Sequence, residues 1–169
     1  QALPLIDKAQ VRRRLPDEVE IHLTEREPVA RWKAAGLVDA NGNIFQAATT
    51  ETFPEFDGQP GTAKTMVAHY QEFSGLLKPA GLSIAKLEYT PRSAWSVVLD
   101  NGITVRLGRE HENARLQQFA AVWPGISRAQ QSGLAYVDMR YKDGFAVRER
   151  APSEMPSETA ASAADHNQQ

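Results

Sequence analysis

Apolar and polar residues alternate through most of this chain, and two stretches replace the alternation with a helical period. Near the start Val19, Ile21 and Leu23 alternate with Glu20, His22 and Thr24, the period of a half-buried strand. A Leu15-Pro16-Asp17 corner has turn chemistry. The opening therefore predicts a helix end or loop and then two strands joined at that corner. Two strands alone are marginal in water, so this piece is expected to be the last part of a domain whose beginning lies upstream.

From Ala30 the pattern changes. LVDANGNIF, residues 37 to 45, places two apolar runs around Asn41-Gly42 and predicts a hairpin. Residues 49 to 60 are polar and contain Pro54, which predicts a loop. Met66, Tyr70, Phe73 and Leu77, with Val67 beside them, recur at helical spacing and predict a helix over 61 to 77, closed by Pro79 and Gly81. A meander follows, with strands at 82 to 89, 94 to 99 and 103 to 107 and an Asp100-Asn101-Gly102 turn. Trp95, Val97 and Leu99 alternate in one strand and Ile103, Val105 and Leu107 in the next, so both rows should face one core. A second helix is predicted near 110 to 122, with Leu116, Phe119, Ala120 and Trp123 on one stripe and Pro124 as its stop. Residues 125 to 133 read as a link. YVDMRYKDGFAVRER, residues 136 to 150, reads as strand, turn and strand, and residues 151 to 169 read as a disordered tail.

Composition narrows the picture. The 169 residues fit one domain, or one plus a fragment. Apolar residues are 41% and charged residues 24%, ordinary for a globular chain, and a net charge of −2 gives no reason to expect nucleic acid. No apolar run approaches the roughly 18 residues that cross a bilayer. From Gln1 there is no basic flank or apolar core, so no signal peptide is read there, and a first residue other than Met suggests a trimmed chain. The absence of cysteine removes disulfides, thiol catalysis and Cys-ligated zinc. No repeat of solenoid period is present.

Chemistry-bearing motifs are few. GQPGTAKT, residues 58 to 65, nearly matches a phosphate loop, with Ala63 where the second glycine belongs, and offers a nucleotide-binding enzyme as the alternative function. The polar TTETFPEFD before it is a poor strand to feed such a loop, and a Gly-Pro turn with Lys64 in solvent is the plainer reading. The four histidines, His22, His69, His111 and His166, are scattered. His111 lies between Glu110 and Glu112, but adjacent helical residues diverge and cannot share a metal ion. No nucleophile elbow or acid/base carboxylate pair is visible. Arg12-Arg13-Arg14 reads as a solvated strand end, with an acidic or membrane-surface contact as the alternative. Trp32 and Trp95 read as core.

The final strands leave an edge. Val137, Met139 and Tyr141 should point one way and Tyr136, Asp138 and Arg140 the other, with Lys142-Asp143-Gly144 as the turn. The last strand is either blunted by charge or open to an incoming strand. Net values of about 0.5 to 1.5 kcal/mol per main-chain hydrogen bond mean that an aromatic anchor such as Tyr141 would also be needed.

The segments LPDEVEIHLTEREPVARW, LVDANGNIF, GLSIAKLEYTPRSAW, ITVRLGRE and YVDMRYKDGFAV, in this order, resemble the FtsQ/DivIB family of cell-division proteins. The resemblance implies an α+β fold, a mainly antiparallel twisted sheet with two packed helices, preceded by a partial POTRA hairpin. It divides the chain into a POTRA end (1 to 29), a β domain (30 to 150) and the tail (151 to 169). It also implies the periplasmic part of a single-pass inner-membrane protein at the septum, whose cytoplasmic tail and transmembrane helix are absent from this sequence.

In such a protein no enzymatic activity and no cofactor is expected. The implied role is a scaffold that binds FtsB, and through it FtsL, and so controls septal peptidoglycan synthesis. The family's partner docks as a helix followed by a strand on the last strand of the β domain. Arg140 and Tyr141 match the Arg-Tyr pair at that contact, and Arg92, in TPRSAW, matches an arginine that meets an acid of the partner helix. Lys142, Asp143, Gly144, Phe145, Ala146, Val147 and Arg148 complete the expected docking stretch.

Overall fold

Asparagine and aspartate chemistry sets the two tightest hairpins. Asp39 Oδ1 accepts from the backbone N–H groups of Asn41 and Asn43, each at 2.9 Å, and Oδ2 accepts from Asn43 Nδ2 at 2.9 Å. Burial pushes the Asp39 carboxyl up, and these Asn43 and Asn41 bonds, with Arg26 nearby, bring it below the ordinary value. Gly42 then turns back at φ +81°, where an added Cβ would stand 2.5 Å from the Lys64 Cα. In the second hairpin Asn101 Oδ1 accepts from the Ile103 N–H, and Gly102 takes φ +81°. The hairpins expected at 37–45 and around 100–102 both form.

The computed structural model describes residues 6–14, 18–33, 35–126, 128–141 and 144–149. The Leu15-Pro16-Asp17 corner, Lys142, Asp143, His166 and the 151–169 tail lie outside the described residues. Strands β1 (Ile6–Arg14) and β2 (Glu18–Glu25) pair antiparallel as a separate two-stranded sheet. The other strands are β3 (Pro28–Trp32), β4 (Leu37–Asp39), β5 (Ile44–Phe45), β6 (Glu55–Asp57), β7 (Ile84–Tyr89), β8 (Trp95–Leu99), β9 (Thr104–Gly108), β10 (Leu134–Asp138) and β11 (Ala146–Glu149). They form one nine-stranded sheet in the order β11-β10-β9-β8-β7-β6-β3-β4-β5. The pairs β3–β6, β6–β7 and β9–β10 are parallel and the other five are antiparallel. The sheet is thus mainly antiparallel, and the fold is α+β.

Helices α1 (Ala63–Leu77) and α2 (Glu112–Val122) pack on each other and on one sheet face, α1 against β7 and α2 against β9. Met66, Val67, Phe73 and Leu77 of α1 and Leu116 and Phe119 of α2 are buried, which is the apolar stripe the helical spacing predicts. Beneath them the rows Trp95, Val97, Leu99 and Ile103, Val105, Leu107 are all buried. Trp95 stacks on His69 at 4.3 Å and meets the edge of Phe73 at 5.8 Å. Of the two longer helices, neither α1 nor α2 packs on the opposite sheet face.

Besides β3, which the sequence reading did not place, and β10, two elements depart from that reading. Residues 55–57, assigned to a loop, form β6, a central strand between β3 and β7. Phe56 alone anchors it: it is fully buried, while Glu55 and Asp57 reach Lys86 and Lys33 on the open face. A single buried residue between two carboxylates leaves too short an alternation to register as a strand. The 125–133 link contains a short helix, α3 (Arg128–Gly133). The Gln131 side chain holds its start by donating to the carbonyls of Trp123 and Ile126.

Candidate functional site

The last strand of the described chain is the end of the sheet. β11 pairs with β10 through Leu134↔Glu149, Tyr136↔Arg148, Val137↔Val147 and Asp138↔Ala146, and no described strand pairs with its other side. Directly opposed residues of an antiparallel pair share a face. Val137 and Val147 therefore face the helix side. Val137 is buried, but Val147 is 52% exposed. Tyr141 is 61% and Phe145 45% exposed. Among the residues whose side chains are described, five large apolar ones are exposed, and three of them fall within this short stretch.

β10 ends sooner than the sequence suggests. The expected strand over 136 to 141 is instead 134 to 138. Met139 is still buried, with its N–H on the Arg106 carbonyl at 2.9 Å, but Tyr141 has left the sheet and its side chain stands in solvent instead of continuing the Val137, Met139 row. The cause is local. Asp138 Oδ1 accepts from the Arg140 N–H at 3.1 Å, closing an Asx turn that ends the strand. Arg140 Nε donates to Oδ1 at 2.8 Å, Nη2 donates to Oδ2, and the Tyr136 hydroxyl donates to Oδ2 at 3.0 Å. The Arg140 guanidinium, opposed by burial and aided by its own N–H and by Tyr136, holds the Asp138 carboxyl down to about 2. Sequence alone puts Asp138, Arg140 and Tyr136 on one face; their mutual bonding depends on the turn.

Strand register gathers the remaining site residues at one end of the sheet. A row of paired residues crosses it as Glu88, Ser96, Arg106, Asp138 and Ala146. Just beyond that row lie residues 139–141 and the 90–94 turn, where exposed Arg92 sits between β7 and β8. Three strand spacings, about 14 Å, separate that turn's strand from β11. Gly144, Phe145, Val147 and Arg148 are exposed and Ala146 is half-buried.

The near phosphate loop has a different environment from the one expected. A strand, β6, does run into it, contrary to the expectation of a polar loop there. The segment closes on itself, however: the Thr62 N–H and hydroxyl both donate to the Gln59 carbonyl, at 3.1 and 2.7 Å. Gly58 is packed against Met66 and Thr62, and Lys64 is exposed. Nothing here supports nucleotide binding. One contact was not legible in the sequence: His69 Nε2 lies 3.5 Å from the Glu112 carboxylate of α2, linking residues 43 positions apart. Among the described residues no group of three or more His, Cys, Asp or Glu side chains could hold a metal ion. Among the described residues no helix is long and apolar enough to cross a membrane.

Comparison with known proteins matches the family model for the C-terminal region of cell division protein FtsQ/DivIB over residues 30–140. The model for the FtsQ-type POTRA domain matches over residues 1–26. Cell division protein FtsQ of Neisseria gonorrhoeae is 53% identical over 154 residues, covering 90% of this chain and 63% of the relative. That of Neisseria meningitidis is 54% identical over 146 residues, covering 86% of this chain and 62% of the relative. That of Escherichia coli is 35% identical over 154 residues, covering 87% of this chain and 56% of the relative. The chain thus spans under two thirds of the length of these relatives. With a family match across the whole helix-bearing sheet up to Arg140, the chain belongs to the FtsQ/DivIB family of cell division proteins.

Proposed function

We propose that this protein is a non-enzymatic scaffold of the division machinery that receives a strand of FtsB on the outer edge of β11 and, through FtsB, engages FtsL. In this reading it helps control septal peptidoglycan synthesis from the periplasmic side of the inner membrane, anchored by a transmembrane helix upstream of this sequence. The observation that carries the reading is the outer side of β11, with which no described strand pairs, and Tyr141, Phe145 and Val147 exposed beside it. An incoming strand gains main-chain hydrogen bonds along that side, and the apolar side chains supply the burial that those bonds alone lack. In this reading Arg92, exposed at the same end of the sheet, meets an acidic group on the element that precedes the partner strand.

Titration of the periplasmic segment of FtsB into wild type and Tyr141→Ala tests this. Tyr141 is exposed, so its loss leaves the core intact. Affinity at least about tenfold weaker in the variant is expected for an aromatic anchor. Undiminished affinity would contradict the reading.

A further inference from the structure

Charge is segregated on the sheet face opposite α1 and α2. At β6 and β7 it carries Glu55, Asp57 and Glu88, matched by Lys86 and Lys33. At β9 to β11 it carries guanidinium groups. Arg106 lies over the Tyr136 ring at 5.0 Å. Arg148 stands opposite Tyr136 on β11, on the same face and exposed. Of the carboxylates at this end, Asp138 is 1% exposed and already bonded to Arg140 and Tyr136, and exposed Glu149 alternates onto the Val147 face of β11, so neither offsets the arginines on theirs. The other face of β11 is apolar at Val147.

From this juxtaposition we infer that the docking edge selects its partner strand by a two-faced code, acidic on the side facing Arg148 and Arg106 and apolar on the side facing Val147. The inference rests on the docking reading above and specifies the chemistry of its occupant. Residues of an added strand directly opposite Arg148 share its face, and opposite charges there attract while like charges repel. An acidic residue opposite Arg148 also approaches the field of Arg106, two strands inward. A strand added one residue out of register would place its acids against Val147 and its apolar residues against Arg148, so the code also fixes register.

The test uses a synthetic peptide of the strand-forming end of the FtsB periplasmic segment, and a copy with its acidic residues changed to Lys. Both are titrated into wild type, Arg148→Glu and Tyr141→Ala, with circular dichroism as the folding control. Wild type should bind the native peptide more tightly, and Arg148→Glu should weaken that peptide by about tenfold and favour the Lys copy. The native complex should also weaken with added salt, less steeply in Arg148→Glu. Unchanged affinity of Arg148→Glu for the native peptide, with Tyr141→Ala impaired, overturns the charge code and leaves the docking reading standing. Full affinity of Tyr141→Ala overturns both. Phosphatidylglycerol vesicles, or a second copy of the chain, held by wild type and lost in Arg148→Glu while peptide affinity is equal, would assign the arginines to that occupant instead. Should Arg148→Glu lose its fold, Arg148→Ala is read in its place, and there the native peptide should bind more weakly than to wild type, with its lead over the Lys copy reduced.

Discussion

Arg140 bonds back onto Asp138, two residues earlier, with both its backbone N–H and its guanidinium, and this one contact ends β10 and turns Tyr141 out of the sheet. The pair joins stability to the shape of the edge. Asp138 is buried, so its charge is tolerable only because Arg140 and Tyr136 saturate it. Arg140 itself stays 53% exposed at its side chain and remains available at the surface.

A pH dependence follows from Asp138. Its carboxyl lies at about 2 in the folded protein against an ordinary 3.8. A depressed carboxylate contributes stability above its unfolded value and loses it as pH falls through the folded one. The contribution, on the order of 2 kcal/mol, should be complete at neutral pH and vanish between about pH 4 and pH 2. In urea denaturation, Asp138→Asn should be less stable than wild type at pH 7, and the gap should narrow by about that amount at pH 2.

Trp95 ties α1 to the sheet through His69, Phe73 and Tyr89, whose ring lies 4.3 Å away. Trp95→Ala should cost about 3 to 5 kcal/mol in chemical denaturation, as loss of a large buried ring leaves a cavity. A cost under about 1 kcal/mol would mean that the helix layer does not depend on it.

Two glycines separate backbone strain from crowding. Gly42 and Gly61 both have positive φ, +81° and +85°, but an added methyl at Gly61 meets nothing within 4 Å while at Gly42 it meets the backbone of Lys64. Gly61→Ala should destabilise by about 1 kcal/mol, the left-handed cost alone. Gly42→Ala should lose clearly more, because the hairpin tip and the first turn of α1 must part. Comparable melting temperatures for the two variants would argue against that contact.

Much of this architecture was legible in the chain. Alternation gave β8 and β9, the 3.6 period gave α1 and α2, and Asn-Gly turns located both hairpins, because each signal is local. β6 was not legible, since its place in the sheet comes from parallel neighbours far away in sequence and only Phe56 declares it. The edge was legible as the final strand, and its place at the sheet's end agrees with that reading. The early end of β10 was not, because Asp138 can close an Asx turn only when Arg140 folds back, and spacing alone does not distinguish that from a continuing strand.

Strand addition should also depend on the backbone of β11, apart from any side chain. Val147→Pro removes one N–H and its ring obstructs pairing, whereas Val147→Thr keeps both strand shape and backbone. Binding of the FtsB segment should fall sharply in the first and by a few-fold in the second, read by the same titration.

The most direct measurement is hydrogen exchange, residue by residue, with and without the FtsB periplasmic segment. In an antiparallel edge strand alternate N–H groups face outward. The account expects new protection on alternate amides of residues 144–149, with the inward-facing ones already slow in the free protein. Protection arising elsewhere, with those amides exchanging as fast in the complex as alone, would contradict it.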